Sequence, residues 1–185
     1  SKVFFTEAKK KYCGLLADGR IDVVGFEAAR GDWAKISKDV QEEVIRIVLT
    51  EEDPWKAVDY IRKVIRELSG GKIPLEKLII WKTLSKDLEE YEVDAPHVQA
   101  AKELKKLGYR VGKGSKVGYV VVKGSGKISE KAKPHIAIKS MDEIDVDYYI
   151  KRQIIPAALR ILEYFGIREE HFWEGKRQAS ITDFF

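Results

Sequence analysis

Sulfur is nearly absent from this sequence. Cys13 is the only cysteine in 185 residues, and there is one methionine. One cysteine excludes a disulfide framework and a thiolate metal site. Histidine is scarce as well. His97, His135 and His171 stand far apart, without partners at ligand spacing, so each reads as a surface or hydrogen-bonded side chain. No apolar run reaches the roughly 20 residues of a membrane span, and no secretion-signal pattern opens the sequence. A soluble protein of a reducing cytoplasm is expected, with no membrane partner.

Enzyme signatures are missing too. The stretch GSGKIS at 124–129 resembles a phosphate loop only in part. That loop needs glycine five positions before its Gly-Lys pair and Ser or Thr after the lysine; Val121 and Ile128 stand there. Carboxylates are plentiful, but no isolated pair sits in the apolar strand setting that two-metal chemistry requires. No catalytic residue and no metal ligand is expected in this chain.

What remains is a charged, globular composition with 44% apolar and 35% charged residues and a net charge of +4. The charge is unevenly placed. Residues 102–139 hold eleven Lys and Arg against two Glu, whereas 51–94 is net acidic. A basic block of this kind fits a polyanion partner, or simply a solvated lysine-rich surface.

Residues 2–29 read as strands, with Asp18-Gly19 as a hairpin turn. A hairpin alone is marginal in water, so this opening is expected at the edge of a sheet completed elsewhere. A helical period follows at Trp33, Ile36, Val40, Val44, Ile47 and Val48, with Asp32 as its expected cap. Pro54 suits the first turn of a second helix that ends at Gly70-Gly71. LEKLIIW at 75–81 fits a buried strand or a short helix. Asp94-Ala-Pro96 opens a helix to Gly108, and VGYVVVKG reads as a strand within the basic segment. Asp145 or Asp147 opens a last helix, with Pro156 kinking or breaking it and Gly166 as its stop. REEHFWEGKRQ then reads as a linker. The fold class is α+β: an antiparallel hairpin region, then a mainly helical unit with a small β element, then a flexible tail.

Two short stretches carry most of the functional signal. In AKKKYCG, strand alternation sends Lys10 and Tyr12 to one face and Lys9 and Lys11 to the other. An ammonium and a hydroxyl on one face can share a phosphate backbone; lysines can equally blunt an edge strand. In the last ten residues, KRQASITDFF, the spacing Gln178, Ile181, Phe184, Phe185 suits one tight helical turn. Three apolar prongs would then plug a hydrophobic pocket on another protein, or fold back on the chain's own core.

TEAKKKYCGLLADGRIDVVGFEAARGDW, KDLEEYEVDAPHVQAAKEL, GYVVVKGSGKIS and DVDYYIKRQIIPAALRILEYFG, in this order, resemble the C-terminal region of archaeal family B (alpha-like) DNA polymerases. The resemblance implies palm strands over 1–32, a thumb over 33–168, and a linker with a clamp-binding peptide over 169–185. It implies that Lys9, Lys10, Lys11, Tyr12 and Arg30 lie against primer–template DNA, with Lys113, Lys116, Lys123 and Lys127 as thumb phosphate contacts. The tail is similar to the PIP box, the peptide that binds the sliding clamp. The family's metal-binding motif, Tyr-x-Asp-Thr-Asp-Ser, is absent, so the Mg²⁺ of a complete polymerase is expected on a larger polymerase subunit or a missing N-terminal part. By itself the chain should be inactive. The alternative is a stand-alone DNA- and clamp-binding adaptor.

Overall fold

The computed structural model describes residues 2–5, 12–24 and 33–173. Strands β1 (Lys2–Phe5), β2 (Tyr12–Leu15) and β3 (Ile21–Val24) form an antiparallel sheet in that order. The turn between β2 and β3 needs a residue at positive φ, and Gly19 supplies it at 84°. Asp18 locks the turn by accepting from Arg20 N and Arg20 Nε.

Helix α1 (Lys35–Glu51) buries Ile36, Val40, Val44, Ile47 and Val48, as its periodicity requires. It also buries Ile45 and Leu49, because it is sandwiched between α2 (Pro54–Ser69) and α5 (Ile155–Leu162). Trp33 lies outside the helix and is only half-buried. The residue at the cap position is Ala34, which offers no side-chain bond; Asp32 lies outside the described residues. Gln153 does the work instead: its Oε1 accepts from Ala34 N at 3.1 Å and from Ser37 Oγ at 2.7 Å. Helix α2 follows its sequence signals closely. Asp53 accepts from Trp55 N, Pro54 occupies the first turn, and Gly71 turns the chain away at φ 71°.

LEKLIIW is both of the things it suggested. Leu75–Lys77 makes a 3-10 turn, and Ile80–Thr83 makes strand β4. Helix α3 (Pro96–Lys106) lies over a second antiparallel sheet, ordered β4, β5 (Lys116–Val121), β6 (Ala132–Pro134). Strand β6 is only three residues long and includes a proline, so no sequence period announces it.

The last helical stretch is not one kinked helix. It runs as α4 (Val146–Tyr149), a wide π turn over 150–154, and α5. Asp145 starts it by accepting from Tyr148 N. Pro156 has no N–H to donate, and the π turn resets the ladder just before it, with Ile155 N reaching back to Ile150 O. Gly166 ends α5's extension in the left-handed region at φ 77°.

The first residues of the expected linker are packed structure. Glu169–Phe172 forms a 3-10 turn with Phe172 buried, and Arg62 donates two bonds to His171 O. The rest of REEHFWEGKRQ, residues 174–178, lies outside the described residues. The helices and the second sheet share one apolar core. Tyr149 pins the two parts together: its hydroxyl donates to Leu78 O at 2.7 Å and accepts from Val121 N at 3.1 Å. Burial pushes the Tyr149 phenol far up, so it remains a neutral donor.

Candidate nucleic-acid interface

Strand β4 builds the main site. Along β4, Ile80 is buried and Trp81, Lys82 and Thr83 are exposed. In the register, Trp81 stands opposite Gly118 of β5, and Thr83 opposite Lys116. A Cβ at Gly118 would fall 2.7 Å from the Trp81 ring and 2.9 Å from His135. The missing side chain is therefore what lets the indole lie over β5. His135 meets Trp81 edge-on at 5.1 Å, and Lys116 Nζ sits 5.2 Å from the ring centroid. Burial holds the His135 pKa below its ordinary value, so its ring is neutral at pH 7.

The first turn of α1 forms the facing wall. Between the walls runs a groove of about 900 Å³, lined by Trp33, Trp81, Lys35, Lys38, Lys82 and Lys116, with Asp39, Glu42 and Glu76 among the remainder. Asp39 is already bound by Lys35 at 3.0 Å and by Lys77 at 3.4 Å. That leaves Lys38, Lys82 and Lys116 facing Glu42 and Glu76.

A second depression of about 520 Å³ lies around Lys123, Lys131, Lys151 and Arg152 beside Asp145, Asp147 and Tyr148. Lys131 bonds Asp145 at 2.9 Å in a largely buried pair. Burial pushes the Asp145 carboxyl up, but Lys131 and the Tyr148 N–H outweigh it and hold the group below its usual range.

Folding redistributes the basic block. Lys102 pairs with Asp94, Lys105 with Glu89, and Lys133 with Glu143. With Lys131, four of the eleven cations thus have carboxylate partners. Glu143 accepts from Lys133 Nζ, Lys139 N and Ser140 N, and its pKa falls to about 2. The expected phosphate contacts are all exposed, but they do not form one cluster. Lys116 lines the first groove and Lys123 the second. Lys113 sits at a turn whose backbone donates to Asp87, and Lys127 at a turn whose backbone donates to Glu130.

Tyr12 begins β2, paired in register with Phe5 and Val24. Lys9, Lys10, Lys11, Arg30, Gln178, Ile181, Phe184 and Phe185 lie outside the described residues. Sequence reasoning missed Trp81, Lys35, Lys38 and Lys82. The signal was present in IIWKT, where strand alternation exposes Trp81, but LIIW reads first as a buried run.

The three histidines pack edge-on against aromatic rings: His97 on Tyr91, His135 on Trp81, His171 on Trp55. Among the described residues no group of three or more His, Cys, Asp or Glu is arranged to hold a metal ion. No helix among them is long and apolar enough to cross a membrane.

Known proteins with the same pattern are polymerases. The family model for DNA polymerase family B matches residues 2–165. "DNA polymerase 2" of Aeropyrum pernix is 50% identical over 183 residues, covering 99% of this chain and 23% of that protein. A DNA polymerase of Archaeoglobus fulgidus is 42% identical over 200 residues, covering 100% of this chain and 25% of that one. Among solved structures, the family B DNA polymerase of the hyperthermophilic archaeon Pyrobaculum calidifontis is 52% identical. It aligns with a TM-score of 0.78 over 90% of this chain and 22% of that polymerase. The chain thus spans about a quarter of the length of these relatives.

Proposed function

The chain belongs to DNA polymerase family B, and on that premise we propose that it supplies the duplex-holding part of a DNA-directed DNA polymerase. On this reading residues 1–32 are the last palm strands and 33–168 the thumb. The observation that carries this is the lysine-lined groove between α1 and β4, in a chain whose family acts on DNA. Lysines outside ion pairs are point charges suited to phosphate, so binding is mostly indifferent to sequence and weakens with salt. Lys9, Lys10, Lys11, Tyr12 and Arg30 contact DNA near the growing end. Lys113, Lys116, Lys123 and Lys127 hold the duplex behind it.

The described carboxylates do not fit a catalytic Mg²⁺ site. Asp145 and Glu143, beside the basic surfaces, are already committed to Lys131 and Lys133. The metal ligands belong to polypeptide outside these 185 residues, either continuous with it or in a partner subunit. At the other end, Gln178, Ile181, Phe184 and Phe185 tether the polymerase to a sliding clamp.

The test has two arms. Primer–template affinity is followed against salt by fluorescence anisotropy; replacing Lys113, Lys116, Lys123 and Lys127 by Ala lowers the slope of log affinity by up to about 4. Lys10→Ala with Tyr12→Ala lowers primer extension when the chain acts with the metal-bearing polymerase part. An unchanged slope and unchanged extension would sink the assignment.

A further inference from the structure

We propose that Trp81 is a stacking platform for an unpaired nucleobase, so that the groove between α1 and β4 also takes single-stranded DNA. The inference rests on the nucleic-acid reading of that groove but names an occupant the phosphate contacts do not.

The geometry is specific to a flat ligand. Trp81 retains 38% of its surface exposed at the centre of a β strand, where its neighbour Ile80 is buried. Its indole lies over the backbone of β5, in space that exists only because residue 118 has no side chain. His135 meets the ring edge-on and limits its rotation. One aromatic face is thus braced by protein, and the ring is fixed before any ligand arrives. Base–aromatic stacking needs this kind of rigid, half-open ring, and every base has a face to offer.

The charges complete the site. Lys116 is held near the ring at 5.2 Å, and Lys82 is the next residue along β4. Lys38 stands across the groove. When a base occupies the ring, the Lys116 ammonium can move to the adjoining phosphate, exchanging a cation–π contact for an ion pair. Duplex DNA cannot use the platform, because its base faces are hidden in the stack; it meets these lysines through phosphate alone. An unpaired strand can use both.

The experiment compares three labelled probes with the 185-residue chain by anisotropy: a thymidine strand of about ten nucleotides, an abasic strand of equal length, and a blunt duplex. Trp81→Ala weakens the thymidine strand about 5- to 150-fold, the worth of one stacked base, and weakens the abasic strand and the duplex far less, through the loss of the ring that positions Lys116. Trp81→Phe keeps most of the affinity. Gly118→Ala, which displaces the ring, mimics Trp81→Ala on the thymidine strand. Equal loss on the abasic strand, no loss on thymidine, or a wild-type chain that does not prefer thymidine to abasic DNA overturns the proposal. Failure of the groove as a DNA site shows separately, as absence of salt-dependent duplex binding.

Discussion

The hydroxyl of Ser37 donates a 2.7 Å hydrogen bond to Oε1 of Gln153, across 116 residues of sequence. The same oxygen accepts from Ala34 N, and Gln153 Nε2 donates to the Tyr148 hydroxyl. A side chain on the π turn thereby caps the N-terminus of α1, the point where the chain leaves the segment that follows the first sheet. Gln153→Leu keeps most of the volume but strips Ala34 N and Ser37 Oγ of a buried partner. It should cost about 1–3 kcal/mol, read as a lower urea midpoint; Ser37→Ala should cost less. Equal stability of Gln153→Leu and wild type would show that the clamp is incidental.

Tyr149→Phe removes one oxygen and two hydrogen bonds from the core. Leu78 O and Val121 N are left without that partner in a dry site. A loss of about 1–3 kcal/mol is expected in denaturant unfolding. Because the hydroxyl joins α4 to both β5 and the segment before β4, amide exchange should accelerate in β4 and β5 before it does in α1 or α2. Uniform acceleration would contradict this.

Acid should release the Glu143 lock. Lys133, with the Lys139 and Ser140 N–H groups, depresses the folded pKa to about 2, below an unfolded value near 4.3. A depressed carboxyl stabilises above the unfolded pKa and loses that contribution as pH falls through the folded one. Glu143→Gln should therefore lower Tm at pH 7, and the gap to wild type should close between about pH 4.3 and pH 2. A gap that persists at pH 2 would assign the effect to shape rather than charge.

Phe184→Ala with Phe185→Ala should abolish pull-down of the sliding clamp, because aromatic anchors dominate small interfaces. Primer–template affinity should stay within twofold or so of wild type, since the substitutions change no charge. Parallel loss of both activities would place the two phenylalanines in the chain's own core instead.

Elements bounded by local chemistry were legible beforehand. Helix α2 has Asp53 and Pro54 at one end and Gly70-Gly71 at the other, and its apolar stripe has one period throughout. The turn at Gly19 and the stop at Gly166 were equally local. Strand β6 was not legible, because three residues including a proline carry no period. The packed turn at Glu169–Phe172 was missed because REEH looks solvated; distant residues hold it down, Arg62 by bonding His171 O, Trp55 by packing on the His171 ring, and the core that takes Phe172. The candidate site followed the same rule. Lys116 and Lys123 were visible as charges, but Trp81 became a site residue only through the residue facing it.

By itself the sequence determined what depends on neighbours in the chain: helix periods, caps, turns, the basic bias of residues 102–139, and the family motifs. The tertiary structure decided what depends on pairing over distance. It determined which lysines are spent on Asp94, Glu89, Asp145 and Glu143, and that Lys116 and Lys123 line different grooves. It also set Gly118 beneath Trp81. Charge and period are summed along the chain, whereas ion pairs, strand register and burial are set by residues tens of positions apart, and only packing brings those together.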